Sequence, residues 1–189
     1  MQRRQLLIGL GLGLVALHAQ PTEAWAIGGE LPPIDGEAPS FLLAGVAPGA
    51  GGVEPVQLAL ADRRGQWTVL YFYPRDMTSG CTLEARGFQR DLAAFHGLGA
   101  EVIGISADDV DSHSEFCGSE GLTYPLLSDP GGRVSQRYGS WIAPFSQRHT
   151  FLIDPEGILR ARWVAVRPAG HSQEVLAELR RLQDGARTA

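Results

Sequence analysis

The chain has 189 residues, of which 44% are hydrophobic and 20% are charged, and its formal net charge is −5. This length and balance are typical of one soluble globular domain with a sizeable core. The basic residues are scattered, with no run that could follow a phosphate backbone or an anionic lipid surface, which excludes nucleic acid as an expected partner.

The first 26 residues have the composition of an export signal. A positive segment with Arg3 and Arg4 precedes an apolar segment at residues 6–17 and a small-x-small site, Ala24-Trp25-Ala26. We therefore expect a signal peptide over residues 1–26 and one domain over residues 27–189. The paired arginines fit a twin-arginine signal, although ordinary export signals share this pattern.

The apolar segment is shorter than the roughly 20 residues that a membrane-spanning helix needs, so an uncleaved anchor is the less favoured alternative. We expect the mature protein to lie in a periplasm, or in a thylakoid lumen if the source is photosynthetic. After processing, no stable membrane insertion is expected.

Strand and helix patterns alternate along the domain after an irregular lead-in at residues 28–39. The first half predicts a hairpin formed by residues 41–46 and 56–60, followed by a strand buried on both faces at residues 67–73. A helix at residues 81–97 and a second buried strand at residues 101–106 come next. Pro74 ends the first buried strand, and the helix has Cys81 in its first turn.

The second half predicts a short polar helix at residues 109–120, with Asp108 as its N-cap and Gly121 at its end. A strand at residues 126–128 and a short helix at residues 132–138 follow. The chain ends with a hairpin formed by residues 150–154 and 158–166 and an amphipathic helix at residues 175–182. This order indicates an α/β three-layer sandwich with a central mixed β-sheet flanked by helices. The thioredoxin-like fold fits it.

The chain has only two cysteines, Cys81 and Cys117, and neither belongs to a C-x-x-C pair or lies near a second cluster of ligand-type residues. Structural zinc, or any other metal or cofactor, is therefore not expected. Export would permit a disulfide, so a static bridge between the two cysteines is one interpretation.

The position of Cys81 just beyond a strand end, in the first turn of a long helix, favours a reactive thiolate. Thr78 stands at the N-cap position, where its hydroxyl could satisfy helix donors or reach the thiolate and a bound substrate. Pro74 has no N–H and could close the bottom of a small pocket without adding a competing donor.

The pattern P-x-x-x-T-x-x-C formed by Pro74, Thr78 and Cys81 resembles the active-site signature of peroxiredoxins. The preceding residues 71–74, Tyr-Phe-Tyr-Pro, resemble the bacterioferritin comigratory protein (PrxQ) branch, and the likeness extends from about residue 34 to residue 182. The resemblance implies a thiol peroxidase in which Cys81 attacks hydrogen peroxide or an organic hydroperoxide and becomes a sulfenic acid.

The same resemblance implies that Arg148 holds the thiolate and orients the peroxide, since a guanidinium is permanently charged and offers several donors. The alternative for Arg148 is a surface ion pair. Glu84 is interpreted as complementing the helix dipole or holding Arg148. His149 and His171 are interpreted as polar surface or hydrogen-bonding residues.

The resolving thiol is not fixed by the resemblance. Many PrxQ proteins carry the resolving cysteine five residues after the first, where this chain has Arg86, but some members carry it in the next helix, where Cys117 falls. We expect a Cys81–Cys117 disulfide that a thioredoxin-like donor reduces, and a monomeric protein. In the alternative, Cys117 is only a buried side chain beside Phe116 and an external thiol resolves Cys81.

Two other functions fit the same fold. A thioredoxin-like disulfide oxidoreductase would normally use C-x-x-C, whereas Cys81 is followed by Thr82, Leu83 and Glu84. A non-enzymatic binding protein would not need the four residues Pro74, Thr78, Cys81 and Arg148 together.

Overall fold

The structure of the protein is a computed structural model that describes residues 25–26 and 28–187. The proposed signal peptide lies outside the described residues except for Trp25 and Ala26, which form strand β1 and pair with β2 (Gly29–Glu30). Within the described part of the chain, no helix combines the length and hydropathy needed to cross a membrane.

A mixed sheet forms the centre of the molecule, as predicted, and it has seven strands. Its strands are β3 (Leu42–Gly49), β4 (Gly52–Ala59), β5 (Trp67–Phe72), β6 (Ala100–Ser106), β7 (Leu126–Ser128), β10 (His149–Ile153) and β11 (Leu159–Trp163). They lie in the order β11-β10-β5-β6-β7-β3-β4, in which β5, β6 and β7 are parallel and the other pairs are antiparallel. Between β7 and β10, β8 (Trp141–Ile142) and β9 (Phe145–Ser146) form a separate small hairpin.

Helices cover both faces of the sheet. The helices are α1 (Ser79–Gly97), α2 (Val110–Glu120), α3 (Arg133–Arg137) and α4 (His171–Arg187), and a 3₁₀ turn spans Leu60–Arg63. Side chains of α1, α2 and α4 pack against the face of β5 that carries Val69 and Tyr71, whereas α3 and the N-terminal segment pack against Leu70 and Phe72. Because β5 alternates its apolar side chains between two cores, the sequence prediction of a strand buried on both faces and of three layers is confirmed.

Several predicted boundaries move by a few residues. The N-cap of α2 is Asp109, whose carboxylate accepts the Ser112 N–H at 2.8 Å, so the assignment of Asp108 was wrong. The Asp108 carboxylate instead accepts the Asp76 N–H at 2.9 Å and the Ser106 hydroxyl at 2.7 Å. The last hairpin strand is also shorter than predicted, because pairing with β10 ends at Trp163.

Candidate active site

Cys81 is the third residue of α1 and lies in its first turn. The chain leaves β5 at Phe72, forms a loop, and enters the helix at Ser79 with Thr78 as the N-cap residue. The first N–H groups of a helix have no acceptor within it and carry partial positive charge, which favours an anionic sulfur at this position. The Cys81 side chain itself is 1% exposed.

Arg148 reaches Cys81 because of the pairing between β10 and β5. His149 lies opposite Phe72 at the last pair of that ladder, so Arg148 stands just beyond the end of β5, above the start of α1. Its Nη2 donates to the Cys81 Sγ at 3.4 Å. The two residues that the sequence singled out 67 positions apart are therefore in direct contact.

Glu84 fixes the other side of the guanidinium. It lies one turn after Cys81, its carboxylate accepts a short hydrogen bond from Arg148 Nη1, and its side chain is buried. Burial raises the pKa of Glu84 to about 7, although the charge and hydrogen bond of Arg148 act in the opposite direction. The expectation that Glu84 holds Arg148 is confirmed, and the alternative of a surface ion pair for Arg148 is wrong.

The pKa of Arg148 reflects the same group of charges. Burial alone would lower it, but Glu84 and Cys81 outweigh that effect and the net shift is upward. Arg148 is therefore a permanent cation held between a carboxylate and a sulfur, which is the arrangement needed to stabilise negative charge on that sulfur.

Thr78 and Pro74 lie in the loop that leads to Cys81. Thr78 is exposed and has the backbone conformation of an N-cap, but its hydroxyl donates to the Arg75 carbonyl at 3.1 Å and makes no capping bond to the helix. Pro74 is half-buried directly after β5. Neither residue makes a hydrogen bond to the Cys81 sulfur among the described contacts, so their roles stay predictions.

Gly80 is a residue that sequence reasoning missed. A Cβ atom at this position would lie 3.2 Å from Arg148 Nη2 and 3.8 Å from a carbon of Pro168. The guanidinium therefore rests against the bare backbone of the helix beside Cys81. A glycine directly before the cysteine was the only available signal, and it could not be interpreted without knowing where Arg148 lies.

Cys117 lies on α2 with its side chain buried, and it belongs to the same apolar cluster as Cys81. Both cysteines are free thiols, so a static bridge is not present in the described residues. Burial, followed by the nearby charge of Asp76, raises the pKa of the Cys117 thiol to about 12. In this form Cys117 is a protonated core side chain.

His149 and His171 are both buried, so their placement on the surface was wrong, whereas a hydrogen-bonding role is confirmed. His171 Nε2 lies 2.8 Å from the Thr150 hydroxyl, and the Ala165 N–H donates to His149 Nδ1 at 3.4 Å. Burial lowers the pKa of His171, an effect that Glu174 only partly offsets. Within the described residues, no group of three or more potential ligands could hold a metal ion.

Comparison with known proteins identifies the class. Residues 34–162 match the AhpC/TSA family, which is more than half of the chain, so the chain belongs to this family. It is 38% identical over 133 residues to peroxiredoxin Bcp of Xanthomonas campestris, covering 66% of this chain and 82% of that protein. It is also 38% identical over 137 residues to a mitochondrial thioredoxin-dependent peroxide reductase of Drosophila melanogaster, covering 67% of this chain and 58% of that protein.

Comparison with solved structures identifies the branch of the family to which the chain is similar. Structures of Xanthomonas campestris peroxiredoxin Q, also called bacterioferritin comigratory protein, match with a TM-score of 0.67 and 34–35% identity, covering 74% of this chain and 90% of theirs. One of them concerns alkyl peroxide reduction by that protein. Two others replace single cysteines by serine, at positions 36 residues apart in that chain. The resemblance to the PrxQ branch, and with it the thioredoxin-like fold, is confirmed.

Proposed function

We propose that this chain is a thiol peroxidase that reduces hydrogen peroxide and organic hydroperoxides at Cys81. The observation that carries the proposal is the 3.4 Å contact between Arg148 Nη2 and the Cys81 sulfur at a helix N-terminus. The relatives named peroxiredoxin Bcp and thioredoxin-dependent peroxide reductase support peroxidase chemistry. They do not favour the alternatives of a disulfide oxidoreductase or a binding protein.

In the first step the Cys81 thiolate attacks one peroxide oxygen and the O–O bond breaks. The sulfur is oxidised to a sulfenic acid, and the other oxygen leaves as water or alcohol after it takes up a proton. Arg148 donates to the sulfur, and it is placed to stabilise the charge that moves to the leaving oxygen. Because Cys81 is 1% exposed, we expect peroxide to enter past the loop of Pro74 and Thr78.

In the second step Cys117 condenses with the sulfenic acid to form a disulfide. The 36-residue separation between Cys81 and Cys117 equals that between the two cysteines replaced in the Xanthomonas protein, which supports this assignment. Because both sulfurs are buried in separate helices, the first turn of α1 and part of α2 must open before a disulfide geometry is reached.

The surroundings of the enzyme are also part of the proposal. The positive and apolar composition of residues 1–26 supports export to a periplasm or thylakoid lumen, with cleavage before Ile27. A thioredoxin-like protein is the proposed electron donor, in keeping with the name of the Drosophila relative. We propose a monomer that has no stable membrane insertion after processing.

The proposal is tested by mixing the reduced protein with hydrogen peroxide, or with an organic hydroperoxide, in a stopped-flow instrument. We expect fast loss of peroxide in proportion to protein, no reaction with C81S, and a rate about 10²-fold lower with R148K, whose point charge does not replace the fork of donors. Peroxide consumption by C81S at the wild-type rate would contradict the assignment.

A further inference from the structure

Asp76 is a buried carboxylate that joins the loop before α1 to the helix that carries Cys117. It is 3% exposed, and its Oδ1 accepts the Tyr73 hydroxyl at 2.7 Å. Its Oδ2 accepts the Ser112 hydroxyl at 2.8 Å and lies 2.8 Å from His113 Nδ1. Two of these three partners belong to α2, so Asp76 fixes the first turn of that helix against the active-site loop.

His113 is completely buried, and its two ring nitrogens have different surroundings. A carboxylate only accepts hydrogen bonds, so Nδ1 is the donor nitrogen in this pair and Nε2 is the nitrogen left to act as an acceptor. Within the described part of the chain, Nε2 has no hydrogen-bond partner. Asp76 therefore orients the His113 ring and leaves Nε2 without a partner among the described residues. An unpaired polar atom in the protein interior is energetically costly, so this nitrogen needs an explanation.

Cys117 follows His113 by four residues on α2 and shares its buried face. Residues four apart are neighbours on a helix, and side chains lean toward the helix N-terminus, so Cys117 is directed toward the turn that carries His113, although its thiol makes no hydrogen bond to Nε2 in this form. Burial raises the pKa of the Cys117 thiol to about 12, so Cys117 is protonated at pH 7. A thiol so protonated is a poor nucleophile until a base removes its proton.

We propose that His113, oriented by Asp76, accepts the proton of the Cys117 thiol when Cys117 attacks oxidised Cys81. This inference rests on the proposed function, which supplies the sulfenic acid. The Cys117 sulfur forms a bond to the Cys81 sulfur as the Cys81 S–O bond breaks. The proton passes from Cys117 to His113 Nε2 and then to the departing hydroxide, which leaves as water. No further oxidant or reductant takes part.

The proposed base, His113, and the nucleophile, Cys117, move together because they belong to the same helix. Because His113 and Cys117 lie on one helix, a displacement of α2 toward Cys81 carries both, as long as the turn between them stays helical. Ionisable groups around the pair are Tyr73, which directly follows β5, Asp76 in the loop after it, and Tyr124, which comes before β7 and interacts with Cys117. Burial holds the pKa of both tyrosines well above 10, so they remain neutral donors.

The test separates the two chemical steps in the reduced, full-length protein. H113N keeps a donor for Asp76 in the place of Nδ1 but has no basic nitrogen, and S112A removes the other α2 bond to Asp76 but keeps the base. After one equivalent of hydrogen peroxide, samples are quenched with a thiol-blocking reagent at successive times. Mass spectrometry then measures sulfenic acid at Cys81 and the Cys81–Cys117 disulfide separately.

We expect H113N to form sulfenic acid at a rate close to that of the wild type and to form the disulfide about 10²-fold more slowly. Its disulfide rate should rise about tenfold per pH unit, because the thiol must ionise unaided, whereas the wild-type rate should rise less steeply. S112A should form the disulfide within about threefold of the wild type, since it retains the base.

An H113N disulfide rate equal to that of the wild type overturns the inference, as does equal slowing of H113N and S112A with an unchanged pH profile. If circular dichroism shows that H113N does not fold, D76N serves in its place: its amide still accepts from Nδ1 but lacks the charge that favours proton uptake by the ring, so a D76N disulfide rate equal to that of the wild type overturns the inference. A wild-type protein that leaves peroxide unreacted instead refutes the proposed function.

Discussion

The contact between Gly80 and Arg148 gives a sharp test of how closely the guanidinium must be placed. In G80A the new methyl group would lie 3.2 Å from Arg148 Nη2, tighter than an ordinary van der Waals contact of 3.4–4.0 Å. The guanidinium must therefore move by a few tenths of an ångström, away from the position where it donates to Cys81 at 3.4 Å. The same substitution does not strain the backbone, because Gly80 is helical.

The expected effects on activity and on stability have opposite directions. A misplacement of about 1 Å costs about 10²-fold in rate, so a few tenths should lower the rate constant for peroxide about three- to tenfold. Alanine is a better helix former than glycine, so the free energy of unfolding should stay the same or rise by up to about 1 kcal/mol.

The assay compares G80A with G97A, which makes the same change at the last residue of α1, where nothing lies within 4 Å of the added carbon. Stopped-flow kinetics with hydrogen peroxide give the rate constant, and urea denaturation gives the free energy of unfolding. G97A should react as the wild type does. If G80A also reacts at the wild-type rate, the close placement of Arg148 does not limit the chemistry and the reasoning fails.

Two further predictions concern charge and export. The pKa of Glu84 is raised from about 4.5 to about 7, so the folded state binds its proton more tightly than the unfolded state. The free energy of unfolding of the wild type should therefore fall relative to that of E84Q, by up to about 3 kcal/mol, as the pH rises from 4.5 to 7. Urea denaturation measures both values, and a difference between them that does not change with pH would contradict this prediction. Protein recovered from its native compartment should begin near Ile27 by N-terminal sequencing, and an intact Met1 would exclude the proposed export signal.

The fold could be predicted because its main signals are periodic. The apolar run at residues 67–73 and the helical stripe after Cys81 each repeat over several residues, and both elements formed within two residues of the expected bounds. The N-cap of α2 was misplaced by one position because Asp108 and Asp109 are both acceptable caps. The residue whose carboxylate is not used elsewhere becomes the N-cap. The Asp108 carboxylate already accepts hydrogen bonds from the Asp76 N–H and the Ser106 hydroxyl, so Asp109 caps the helix.

The candidate site was only partly predictable. The closeness of Arg148 and Cys81 followed from a family resemblance, since no local pattern connects residues so far apart. Gly80 and Asp76 were missed because their neighbours come from elsewhere in the chain: Arg148 precedes β10, and His113 belongs to α2. For His149 and His171 the sequence left surface and hydrogen-bonding roles open, and both proved to be buried and hydrogen-bonded, because a lone histidine in a sequence does not indicate its future partner.

The C117S variant shows whether Cys81 is the sulfur that peroxide oxidises, because Cys81 is then the one cysteine left in the sequence. The reduced variant receives one equivalent of hydrogen peroxide together with a reagent that traps sulfenic acids, and peptide mass spectrometry locates the adduct. We expect one adduct per chain, on the peptide that contains Cys81. An unmodified Cys81 thiol after the peroxide has been consumed, or an adduct at any other residue, would contradict it.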